Sequence, residues 1–231
     1  VCNTTCRRFL SWAPAVFFFL GWVLLTLYPR PADLVRSVSR VFHPPVDAEF
    51  IAAYAHLFAD LDDPAAIDRR VSELFPYRYD WAAHNRPWYF PSIDEAFLAM
   101  TGDCKTHLLV LASVLEYRGI PYSFSVSPTH VWVEYPGKSE TGSENAQVSF
   151  LSADPDGELR SWRLPTGVDV KRSLDSFWTA FWRYMPPSKK LTLAVGYVMA
   201  LSVGFVLTVL TRVPGGVAHS PALRKFQVEE S

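Results

Sequence analysis

Two long apolar runs flank a stretch in which apolar residues recur first at helical spacing and then at every second position. The first run, Phe9 to Tyr28, is 20 residues without a charge. At 1.5 Å per residue it reaches about 30 Å, enough to cross a hydrocarbon core. The second, Leu191 to Thr211, is bracketed by Lys189, Lys190 and Arg212. Both are predicted to be transmembrane helices. A cleaved signal peptide is the rival for the first, because Arg7 and Arg8 form a basic leader, yet no small-x-small cleavage pattern follows Leu27. A buried soluble helix is the rival for the second, and its basic ends speak against it. The pattern divides the chain into a tail (1–8), a spanning helix (9–28), a domain (29–188), a second spanning helix (189–212) and a tail (213–231).

Within the domain, Asp47 to Leu61 carries apolar residues at helical spacing. Asp63 followed by Pro64 is an N-cap with proline at the first helical position. Ser92 and Glu95 form a capping box for a short helix leading to a turn at Gly102. From Cys104 to Tyr117 one broad apolar face predicts a buried helix that exits at Gly119 and Pro121. Beyond it the period becomes two: YSFSVS, HVWVEY, QVSFLSA and ELRSWRL read as four strands joined by short polar loops such as PGKSETGSEN. Such loops predict an antiparallel sheet. Helices followed by strands make an α+β domain with one core.

A hydrophobic content of 49% is accounted for by the two apolar runs, and a net charge of -1 without a basic run excludes a nucleic-acid binder. Basic residues lie near the membrane on both sides of the runs, so the expectation of a domain outside the cytoplasm rests on the basic pair of the short N-terminal tail, which resembles a signal anchor. Of the three cysteines, Cys2 and Cys6 are separated from Cys104 by the first apolar run. A disulfide framework is not expected, and the pair is either acylated or unmodified.

Cys104 opens the long helix after Thr101-Gly102-Asp103, where unpaired backbone N–H groups and the helix dipole favour negative charge. Asp103 is the expected N-cap. Lys105 either supports a thiolate or leads to solvent. The Cys104 N–H is a natural oxyanion donor. His130 opens a strand after the Ser127-Pro128-Thr129 turn, and Asp154 ends the next apolar strand; neighbouring strands would bring its carboxylate to the imidazole, with Asp156 in reserve. Cys104, His130 and Asp154 thus read either as nucleophile, base and orienting acid or as ordinary residues of a core. Trp88, in the aromatic segment HNRPWYFPS, either lines a cleft or packs the helix entry, and Trp132 is most simply a buried indole. His107 shares the nucleophile's helix and points back along it. His43, His56 and His84 have no spaced partners, so no metal site and no cofactor are proposed.

GDCKTHLLVLASVLEYRGIPY, then HVWVEY, then LSADPDG resembles the transglutaminase-like superfamily of papain-related folds, as a membrane-anchored bacterial-type member. The likeness covers about residues 88 to 157. It implies Cys104 as nucleophile, His130 as general base and acid, Asp154 as its orienter, and acyl transfer on amide bonds of a protein or peptide through a thioester. Asp-Cys-Lys-Thr departs from the Asp-Cys-Glu-Asp of calcium-dependent relatives, and no Cys-x-x-Cys pair suggests zinc. Peptidase, amidase and transglutaminase outcomes stay open. The alternative is an inactive domain of this kind that binds a peptide or scaffolds a membrane complex.

Overall fold

A computed structural model describes residues 4–156, 158–162 and 170–212. The expected C-terminal tail, 213–231, lies outside the described residues, as does Cys2. The fold is α+β, with helices α1 (Thr4–Leu27), α2 (Pro31–Phe42), α3 (Ala48–Ala52), α4 (Pro64–Leu74), α5 (Asp80–His84), α6 (Ile93–Ala99) and α7 (Cys104–Tyr117). Strands β1 (Ser123–Val126), β2 (Val131–Glu134), β3 (Leu151–Ala153) and β4 (Leu159–Trp162) follow, then α8 (Val170–Trp178), a π-helical turn (Thr179–Arg183) and α9 (Pro187–Arg212).

The described residues separate into two compact units, 4–23 with 192–212, and those between 24 and 191. In the first, the aromatic residues of α1 meet glycine notches on α9. A Cβ on Gly196 would lie 2.1 Å from the Trp22 ring, and one on Gly204 would lie 2.4 Å from the Trp12 ring. Glycine at these two places lets indoles seat against helix backbone, the device by which apolar helices approach closely. Trp22 Nε1 also donates to the Thr192 carbonyl at 2.8 Å.

Two spanning helices are expected from the sequence; among the described residues one helical stretch, Pro187–Leu210, is by itself long and apolar enough to cross a membrane. Trp12–Leu27 passes the same test only together with Pro31–Phe42, from which it is bent by 72°. Pro29 and Pro31 interrupt the helix at that bend.

In the second unit α7 is the central helix, packed against β2, α3, α4 and α6. Leu108, Leu109, Leu111, Val114 and Leu115 are all buried. At about 1.5–3 kcal/mol for each side chain withdrawn from water, this helix is the main source of the domain's stability. Its start is capped by Asp103, whose side chain accepts from Lys105 N at 3.0 Å. Its exit turns at Gly119, which holds the positive φ of 64° that a side chain would resist. Asp63 with Pro64, and the Ser92/Glu95 capping box, open α4 and α6 as expected. The single helix expected over Asp47 to Leu61 is broken into α3 and a 3₁₀ turn, Ala55–Phe58.

The four strands are antiparallel, but their order is β2-β1-β3-β4. Val126 pairs with Val131 on one side and with Leu151 on the other. β2 and β3 therefore flank β1 and run in the same direction. The polar segment between them is no hairpin: it leaves β2 at Glu134 and must return along the sheet to start β3 at the other end.

Candidate active site

The turn before Cys104 is pinned to the segment that follows α4. Gly102 forms a bridge with Tyr77, Arg78 N donates to the Gly102 carbonyl at 2.8 Å, and Thr101 Oγ1 donates to the Pro76 carbonyl at 2.7 Å. Met100 ends α6 in the left-handed region, at φ 47°. The chain thus reverses sharply and delivers Cys104 to the first position of α7 as a free, part-exposed thiol.

Lys105 does not lead to solvent. Its ammonium is buried between the carboxylates of Asp103 and Asp80, the latter at 2.9 Å. Asp80 also accepts from Tyr89 N at 2.9 Å. Burial pushes the Asp80 carboxyl up against the pull of Lys105. Burial works to lower Lys105, but the two carboxylates outweigh it and hold the ammonium firmly charged. This triad closes the back of the α7 start and ties it to α5.

His130 is fixed by its own turn: His130 N donates to Ser127 Oγ at 3.0 Å, and Ser127 N donates to the His130 carbonyl at 2.8 Å. Its ring stacks on buried Trp132, with centroids 5.7 Å apart and planes at 16°. Trp132 Nε1 in turn donates to Glu134. The His130 Nε2 meets Glu144 Oε1 at 2.7 Å, and Lys138 Nζ lies 2.9 Å from Glu144 Oε2. Glu144 is itself held by its backbone, since Glu144 N donates to Thr141 Oγ1 and Thr141 N to the Glu144 carbonyl. With Nε2 engaged by the carboxylate, Nδ1 is the ring nitrogen left free of Glu144, and the Cys104 side chain is near enough to act on the imidazole's pKa.

Burial alone would lower the pKa of His130. The Cys104 and Glu144 side chains reverse this and raise it to about 9. Burial likewise opposes ionisation of Glu144, and hydrogen bonds from His130 and Lys138 bring it down to about 2. At neutral pH the result is a charged His130 between the Glu144 carboxylate and the Cys104 side chain.

Asp154 does not occupy the place expected of it. It follows β3 at the Phe124 end of β1, whereas His130 precedes β2 at the Val126 end, and β1 lies between the two strands. Their separation is more than about 10 Å along the strands, plus two strand spacings of about 4.8 Å. Asp154 instead forms an ion pair with Arg160. Asp156 accepts from Glu158 N in the β3–β4 turn. The carboxylate that meets the His130 ring is that of Glu144. Sequence reading passes over it because it sits in a polar segment taken for a plain loop; the available signal is a carboxylate in the connection that follows the base's strand.

Trp88 is half-buried, with its carbonyl accepting from Tyr28 Oη at 3.0 Å. Among the described residues, no hydrogen bond or ring contact joins its indole to Cys104 or His130. His107 Nε2 is engaged by the Phe75 carbonyl and its ring by Tyr77, which leaves it no part as base.

No protein-family model, curated protein or solved structure matches the chain.

Proposed function

We propose that the protein is a membrane-anchored, transglutaminase-like cysteine enzyme that acts on amide bonds of a protein or peptide. The observation that carries this reading is His130 held between the Cys104 side chain and the Glu144 carboxylate. A histidine serving only to pack a sheet edge needs neither a cysteine side chain beside its ring nor a carboxylate held against one nitrogen. In the reaction, the Cys104 proton passes to His130, Sγ attacks the amide carbonyl as the thiolate, and the oxyanion is met by the Cys104 N–H. The imidazolium gives its proton to the departing amine, leaving a thioester. Water or a second amine then attacks that carbonyl, with His130 taking the nucleophile's proton and returning to the imidazolium as Sγ leaves. Glu144 holds the ring and the charge throughout. α9 is the anchor, α1 is the second membrane helix, and the domain lies outside the cytoplasm.

The test uses the full chain in detergent with Cys2 and Cys6 replaced by serine. The rate of Cys104 alkylation by iodoacetamide at pH 7 is compared with that of His130→Ala, followed by acid-quenched mass spectrometry of the protein incubated with a glutamine-containing peptide mixture. Alkylation about tenfold or more faster than in the variant is expected, with an acyl adduct on Cys104 and none in Cys104→Ala. Equal alkylation rates would overturn the reading and favour a binding module.

A further inference from the structure

Helix α2 is amphipathic in the opposite sense from a helix on the surface of a water-soluble domain. Asp33, Ser37 and Arg40 are turned inward beside Val41, which packs against the core, while large apolar side chains stand exposed alongside Arg36 and Ser39. Asp33 is 1% exposed and pairs with Arg86, and Ser37 is fully buried, accepting from Phe90 N at 3.1 Å. Arg40 donates to the Phe90 carbonyl at 2.8 Å and to Glu95 at 3.1 Å. Val35 and Phe42, 69% and 60% exposed, stand with Val38 on the other side, one turn apart from each other along the helix. Asp33 is compensated by Arg86 and Arg36, so the cost of this arrangement lies in the three large apolar side chains left outside, a cost that an apolar surrounding removes.

A second helix has the same unpartnered character. In α8, Val170, Leu174, Phe177 and Trp178 are all exposed, and the stripe runs on through Trp182. Lys190 lies 5.4 Å over the Trp182 ring, so a cation and an indole share one level at the start of α9. Both helices adjoin apolar helices in the chain. α2 follows α1 across a 72° bend, and α8 reaches α9 through Pro186 and Pro187.

We propose that α2 and α8 are interfacial helices whose outward apolar faces lie in the headgroup and acyl boundary of the membrane that α9 crosses. The occupant of these faces is lipid. Continuity with the spanning helix, aromatic residues at its entry and lysines beside them are the chemistry of that boundary. The proposal rests on the anchor reading of α9 and goes beyond it, because an anchored domain can also hang free in water on its tether. The seat has a consequence for the site. α2 grips Phe90 and Glu95, and Glu95 caps α6, whose end delivers the Gly102 turn and Cys104. The nucleophile is thereby held at a fixed height, and the substrate is a peptide segment close to the bilayer surface.

The test places single nitroxide labels on the full chain, with the native cysteines replaced by serine, in phosphatidylcholine–phosphatidylglycerol vesicles. Labels go to Val38→Cys, Phe42→Cys and Leu174→Cys, with Arg36→Cys and Asp175→Cys as polar controls and Val203→Cys as an anchor control. Power saturation compares access by oxygen with access by a neutral nickel chelate. The three apolar sites are expected to favour oxygen and exclude nickel, and the polar controls to do the reverse. Nickel access at Val38 and Phe42 equal to that at Arg36 and Asp175, with Val203 still in lipid, overturns the interfacial seat alone. All sites in water overturn the anchor as well. Exclusion of both reagents from the apolar sites means that a protein partner or a second copy covers them, which also overturns the proposal.

Discussion

Glu144 Oε1 lies 2.7 Å from His130 Nε2, although 14 residues and a whole strand separate them in the chain. The contact follows from topology. Because β2 and β3 both pair with β1, the connection between them has to travel back along the sheet, and it carries Glu144 to the end where His130 sits. Asp154 travels the other way.

This placement separates two substitutions. Removing the Glu144 charge lowers the pKa of His130, so under the proposed mechanism, in which His130 gives a proton to the leaving amine, the fall in activity at high pH should move to lower pH in Glu144→Gln. An equivalent substitution, Asp154→Asn, should leave the alkaline limb in place. The profile of kcat/KM between pH 6 and 10 reads both. A limb that shifts in Asp154→Asn and stays in Glu144→Gln would restore Asp154 to the site.

The same pair should appear in stability. His130 rises from 6.5 to about 9 on folding, so its contribution is full below about pH 6.5 and is lost as pH rises through 9. Glu144 falls from 4.5 to about 2, so its contribution is present above about pH 4.5 and is lost as pH falls through 2. The rise of His130 corresponds to about 3 kcal/mol at 1.36 kcal/mol per unit, shared between Cys104 and Glu144. Both side chains keep about a quarter of their surface exposed, which reduces the Glu144 share to roughly 1–2 kcal/mol. The difference in thermal midpoint between wild type and Glu144→Gln should therefore be widest near pH 5 to 6 and shrink toward pH 10.

Much of this architecture was legible because local signals agree with the fold. Asp63-Pro64, Ser92-x-x-Glu95 and Asp103 each cap the helix they announce, and the change of period after Gly119 marks the sheet. Strand order was not legible. HVWVEY and QVSFLSA alternate equally well as neighbours or as the two flanks of β1, and nothing local in PGKSETGSEN says whether it turns or crosses. The fate of Lys105 was hidden for a similar reason. Its partner Asp80 is 25 residues away, in a helix too short for periodicity to reveal. The outward valines of α2 look like core positions when only their spacing is read.

Gly102 is fixed by space. A Cβ there would lie 2.0 Å from Thr106 Oγ1 and 2.5 Å from Thr106 Cβ. Turning the Thr106 side chain relieves the first contact and not the second, and Thr106 is buried, so the backbone of the turn must move. Gly102→Ala should cost about 1–3 kcal/mol. Activity should fall further than stability does, because the displaced turn is the one that positions Cys104. A variant that melts like wild type and retains full turnover would show that the turn yields freely.

Lys105→Met keeps the length of the side chain and removes the cation between Asp80 and Asp103. Two buried carboxylates would then face each other without compensation, at a cost of about 3–5 kcal/mol. The sign of the pH dependence tests the cause. Burial already pushes Asp80 upward, and without Lys105 it should take up a proton still more readily in the folded protein. An acid whose folded pKa is raised destabilises above that pKa and ceases to do so as pH falls through it. The gap in thermal midpoint between wild type and Lys105→Met should accordingly be large at pH 8 and narrow at pH 5. Adding Asp80→Asn should recover part of it at pH 8, since one of the two uncompensated charges is gone. If the gap were the same at both pH values and unchanged in the double variant, Lys105 would support the α7 start by packing, and the ionic link from the nucleophile's helix to α5 would carry no weight.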